Sequence, residues 1–141
     1  MSLRLAMAGA HDPGAGRVAY APGECNIGPA EIARRRRLGH ASALVTAAAL
    51  VTLLLADAPA WTRLLLFFPA ATAAAGYLQA AFRFCADYGW RGVFNFGRAG
   101  HQRTTAVTDL AARRADRQKA VLIAAGSAAV GAAVAVLALL A

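Results

Sequence analysis

The chain has 141 residues, 59% of them hydrophobic, and a formal net charge of +8 at pH 7; its mean hydropathy is +0.48. Ordinary soluble domains hold about 45–50% apolar residues, and they spread them at helical or strand period instead of collecting them in long runs. Only Cys25 and Cys85 are available for bridging, which excludes a disulfide-stapled mini-protein, and no P-loop, HExxH, GxSxG or dinucleotide fingerprint is present.

Residues 1–20 lack the apolar core of a secretory signal and carry His11, Asp12 and Pro13 among glycines. They read as part of a disordered cytoplasmic tail over residues 1–23. The stretch from Gly23 to Ile32 then reads as a helix start, with Gly28 as N-cap, Pro29 in the first helical position and Glu31 at the positive end of the helix dipole. The helix is expected to run through Arg34, Arg35, Arg36 and Arg37 into a first apolar span at about residues 39–57, which carries no charge between residues 41 and 56.

A short turn with Asp57 and Pro59 leads to a second apolar span at about residues 63–83. Pro69 lies inside it, removes one backbone hydrogen bond and predicts a kink. Residues 84–119 form a basic segment. Its first half is dense in glycine and aromatic residues, which gives it something to bury, and predicts an ordered loop at headgroup level or packed near Pro29. Thr104 or Thr105 is expected to cap a helix that pairs Asp109 with Arg113 and continues into a third span at about residues 120–141. Spanning a hydrocarbon core of ~30 Å takes about 20 residues, and all three runs meet that length once flanking residues are counted.

The basic residues orient these spans. Arg34–Arg37 precede the first; Arg83, Arg91, Arg98, Arg103, Arg113, Arg114, Arg117 and Lys119 lie between the second and third; the turn between the first two has Arg63 alone. Lys and Arg in short loops stay on the cytoplasmic side. The fold expected is therefore an all-α membrane protein of three transmembrane helices with helical cytoplasmic extensions, N-in/C-out. It is a multi-pass protein of the cell membrane, with residues 24–141 as its membrane domain. Trp61 at one boundary and Phe82, Phe84, Tyr88 and Trp90 at the other are the expected interfacial aromatics.

This topology places Cys25 and Cys85 on the reducing side. With His40 and His101 they are the donor types of a tetrahedral zinc site, yet no CxxC or HxxxH spacing brings two together, so isolated apolar thiols and no metal or cofactor are expected. Arg34–Arg37, Arg91, Arg98 and Arg103 point to contact with anionic lipid headgroups or a protein partner. No nucleic-acid module accompanies the charge, and nucleic acid is not an expected partner. Ser127 and Gly131, continued by Ala124 and Ala135, form a small-residue face for close helix packing, against a helix of this chain, a second copy or a membrane-protein partner. No ionisable residue lies at the middle of a span, where transport pathways place one. The expected function is a non-catalytic accessory, scaffold or interaction subunit with a basic cytoplasmic face. The alternative is a cytoplasm-facing thiol, metal or lipid-headgroup enzyme using Cys25, Cys85 and nearby His and Arg.

Overall fold

The computed structural model describes residues 19–99 and 104–141. Helix α1 (Pro29–Leu55) begins as its local chemistry dictates: Gly28 caps it in extended conformation, Pro29 occupies the first turn, where a missing N–H costs nothing, and Glu31 faces the positive end. It carries the four arginines without interruption, and its 27 residues make a rod about 40 Å long at ~1.5 Å per residue. It stops where Asp57 turns left-handed (φ 48°), the Ala58 N–H donating to the Leu53 carbonyl and the Asp57 N–H to Leu54. That pattern satisfies the last carbonyls of a helix, and Pro59 prevents its resumption.

The second apolar run opens as a 3-10 helix, Ala60–Leu66, and only then becomes α2 (Phe67–Ala81). Pro69 consequently sits in the first turn of α2, a position proline tolerates, and a change of winding ahead of it stands where a mid-span kink was expected. Helix α2 also ends on a left-handed residue, Arg83 (φ 53°), which turns the chain back so that the Phe84 N–H reaches the Gln79 carbonyl. The short α3 (Ala86–Arg91) is stopped by Gly92 at φ 69°. Strand β1 (Val93–Phe94) pairs antiparallel with β2 (Thr105–Ala106), Val93 opposite Ala106.

Asp109, not Thr104 or Thr105, caps α4 (Leu110–Leu140), accepting from the Ala112 N–H at 2.8 Å. The cap claims this carboxylate, so the expected pairing with Arg113 does not form; the Arg113 guanidinium instead lies over Gly92 and reaches the Arg91 carbonyl at 3.5 Å.

Three helical stretches, Pro29–Leu55, Ala60–Ala81 and Leu110–Leu140, are long and apolar enough to cross a membrane. Helix α2 lies between α1 and α4, and small residues make both contacts. A Cβ on Gly76 would fall 2.7 Å from the Gly39 nitrogen and 2.8 Å from the Arg35 carbonyl oxygen, so α1 and α2 touch backbone to backbone. On α4 the buried stripe includes Asp116, Ala120, Ile123, Ser127, Gly131 and Ala135, and a Cβ on Gly131 would meet the Phe67 carbonyl oxygen at 2.8 Å. Ser127 and Gly131 thus face α2 of their own chain. Ala124 is exposed; Ile123 takes its place because Phe84 packs on that side of α4 with Ala120 and Ile123. Large apolar side chains, Leu44, Leu55, Phe68, Leu122 and Leu137 among them, point outward along the bundle.

Candidate functional site

The ends of the helices that carry the arginines share a folded cap built from residues 19–28, 83–99 and 104–109. An extended strand-like segment, Cys25 to Gly28, threads its middle. Ile27 bridges Asn95 in parallel, with the Asn95 N–H on the Asn26 carbonyl at 3.0 Å and the Gly28 N–H on the Asn95 carbonyl at 2.9 Å. Gly28 must be glycine here, since a Cβ would fall 2.9 Å from the Phe96 backbone. The glycine- and aromatic-rich segment after α2 is therefore folded against the residue that precedes Pro29.

Buried polar side chains hold this cap. The amide of Asn26 imitates a peptide group: its nitrogen donates to the Cys85 carbonyl at 3.0 Å and its oxygen accepts the Cys85 N–H at 2.7 Å. Tyr88 donates its hydroxyl to the Glu31 carboxylate at 3.1 Å. Glu31, fully buried, also pairs with Arg34 at 3.6 Å and Arg35 at 3.9 Å. Arg35 Nη2 lies 2.9 Å from Cys85 Sγ. On the other flank Asp116, equally buried, accepts from the Tyr20 hydroxyl and the Gly23 N–H, both at 2.8 Å. Residues 20–23, expected in the disordered tail, are tied to α4 by these two bonds; residues 1–18 lie outside the described residues.

Burial governs the titrating groups. It pushes the Cys85 thiol up, against the pull of Arg35, and it pushes the Cys25 thiol up as well. It raises Tyr20, with Asp116 adding to the effect, and Tyr88, with Glu31 adding. Both cysteines are free and buried, and burial disfavours the thiolate, the form that attacks and that binds metal.

The residues proposed for metal binding have separate partners. Cys25 Sγ faces the Ile27 carbonyl at 3.7 Å, Cys85 faces Arg35, and His40 Nδ1 lies 2.7 Å from the Tyr77 hydroxyl. His101 is outside the described residues, and among those described no three His, Cys, Asp or Glu side chains converge as a metal site. Of the arginines proposed for the surface, Arg34, Arg36, Arg37, Arg91 and Arg98 are exposed, and Arg103 is outside the described residues. Arg35 is a correction: its side chain is 13% exposed, because a helix that bears four consecutive arginines must turn one of them inward, and Glu31 is there to receive it. Phe84 and Tyr88 are corrections too. They are buried in the cap, whereas Trp61, Phe82 and Trp90 of the same expected set are exposed, with Lys119 4.2 Å from the Phe82 ring and Arg117 5.8 Å from that of Trp90.

Sequence reasoning missed Asn26 and Tyr20, and it overlooked Asp116. A faint signal existed for Asp116, four residues from both Ala112 and Ala120, which puts an acid on a small-residue face with room for another segment. Nothing local marks Asn26, whose partner is 59 residues away. No protein-family model, curated protein or solved structure matches this chain.

Proposed function

We propose that this chain is an integral membrane protein with its basic end and N-terminus in the cytoplasm and its C-terminus on the far side, acting as a non-catalytic accessory or scaffold subunit. The observation that carries the membrane reading is the distribution of side-chain size. Alanine, glycine and serine fill the contacts between helices, while leucine, valine and phenylalanine face outward. In water that arrangement exposes the wrong surface; in hydrocarbon, where helices associate through close backbone packing, it is the favoured one. The arginines at one end support the orientation. At the other end Arg63 donates to the Ala138 carbonyl at 3.2 Å, which occupies that charge on the terminus of α4.

The non-catalytic reading is supported by the use made of the cap's polar groups. Asn26 bonds to the Cys85 backbone, Tyr88 to Glu31, Arg35 to Cys85 Sγ, and Asp116 to Tyr20 and the Gly23 N–H, so each is engaged within the cap. Two measurements test the proposal. The protein should stay with membranes through alkaline carbonate washing, and a reporter fused after Ala141 should be active only outside the cytoplasm. Purification in mild detergent should recover a reproducible companion protein whose yield is unchanged by Cys85→Ser. The thiol-enzyme alternative draws on the Arg35–Cys85 contact. Stoichiometric metal lost on Cys25→Ser and Cys85→Ser would favour it and overturn the non-catalytic reading.

A further inference from the structure

Helices α1 and α4 flank α2 and leave an open groove of about 310 Å³ on one face, walled by Ala43 and Ala47 of α1, Ala74 and Tyr77 of α2, and Val130 and Val134 of α4. Its wall is mostly apolar, and the Thr46 hydroxyl turns back onto the Ser42 carbonyl at 2.8 Å. Along α1 the groove runs from Ala43 to Leu50, about 10 Å at ~1.5 Å per residue, a third of a hydrocarbon core of ~30 Å. Beyond it the 3-10 helix Ala60–Leu66 touches both α1 and α4. A transmembrane helix from another chain would need the full depth. A single hydrocarbon tail entering from the basic end reaches only to the middle, about 15 Å, and the groove receives roughly two thirds of it.

That end is polar and positive. The Tyr77 ring packs on Gly39, and its hydroxyl lies 2.7 Å from His40 Nδ1, both residues being exposed. His40 is three residues before Ala43, and Arg36, exposed, is four before His40. This spacing lines Arg36, His40, Ala43 and Ala47 along one face of α1. Arg36 therefore stands one turn above the His40–Tyr77 pair, at the height a phosphate takes when its tail lies in the groove and its ester linkage meets the pair.

We propose that this groove is a binding site for one acyl chain of an anionic glycerophospholipid, with Arg36 on the phosphate and the His40–Tyr77 pair at the ester. The proposal rests on the membrane reading above and adds a position: the exposed arginines draw anionic lipid around the whole basic end, whereas one lipid held here needs both Arg36 and the open groove.

The test is native mass spectrometry of the full chain, washed free of lipid in mild detergent and titrated with dioleoyl phosphatidylglycerol or dioleoyl phosphatidylcholine. One phosphatidylglycerol per chain should be retained, with a preference of at least about fivefold, the equivalent of one basic contact at ~1 kcal/mol. The pair of changes Arg36→Gln and His40→Leu should abolish the preference. Ala47→Phe and, separately, Ala43→Leu should fill the groove and lose the lipid, with helical content checked by circular dichroism, while Ala128→Phe on the exposed face of α4 should change nothing. Equal retention of both lipids, retention in both groove-filled variants, or competition by glycerol phosphate without a tail would each overturn the proposal. A chain that requires detergent but shows no preference sinks this inference alone; a chain monodisperse without detergent sinks the membrane reading first.

Discussion

Asn26 and Asp116 show how few side chains hold the cap together. Each is fully buried and each satisfies two groups from distant parts of the chain. Asn26→Ala would leave the Cys85 N–H buried without a partner, at about 1–3 kcal/mol, while the Cys85 carbonyl keeps the Gly89 N–H. It should lower the midpoint of thermal unfolding and speed hydrogen exchange at the Cys85 amide, and unaltered exchange there would show that the pairing is dispensable. Tyr20 supplies a pH signature. Burial first, and then Asp116, raises its pKa above the unfolded value, so its contribution is complete below about pH 10 and is lost as the pH climbs from there through the folded-state value. Tyr20→Phe should remove part of that alkaline loss. The check is unfolding at about pH 8 and about pH 11; equal alkaline losses in the two proteins would count against the Tyr20–Asp116 bond.

Among the elements, α2 depends most on the absence of side chains. Gly76 and Gly131 let it touch α1 and α4, and at both positions an added Cβ meets backbone, which cannot swing aside. Gly76→Ala and Gly131→Ala should therefore each destabilise the bundle by about 1–3 kcal/mol, the usual cost of overpacking. Ala124→Leu, outward on α4, should cost nothing measurable. Unfolding in mixed detergent micelles compares the three, and equal effects would mean that the helices are not packed as described. Local signals at these elements were uneven. The start of α1 is written in Gly28, Pro29 and Glu31, all within one turn of helix. The start of α4 was misread, because two threonines and an aspartate within six residues all suit an N-cap, and β2 draws Thr105 into its pairing with Phe94.

For the molecule as a whole, charge asymmetry sets a testable orientation. If the arginines before α1 direct insertion, replacing Arg34, Arg36 and Arg37 by Gln and adding Lys at Ala58 and Ala60 should weaken the bias and produce a mixed population. A reporter after Ala141 would read it, and an unchanged single orientation would mean that something other than these charges decides. Arg35 is left out of that set because it belongs to the cap.

The residue order by itself determined three apolar runs, their lengths, the end of the molecule that holds the charge and the first turn of α1. Each of these depends on neighbours within a turn or two, or on summed composition, and such properties survive without a fold. Tertiary structure alone decided that Arg35 turns inward, that Phe84 and Tyr88 leave the boundary for the cap, that Ser127 and Gly131 meet α2, and that Asn26 pairs with Cys85. These contacts join distant segments, 50 residues apart for Arg35 and Cys85, 57 for Glu31 and Tyr88 and 59 for Asn26 and Cys85, which only chain folding brings together, and a buried polar group finds its meaning in its partner.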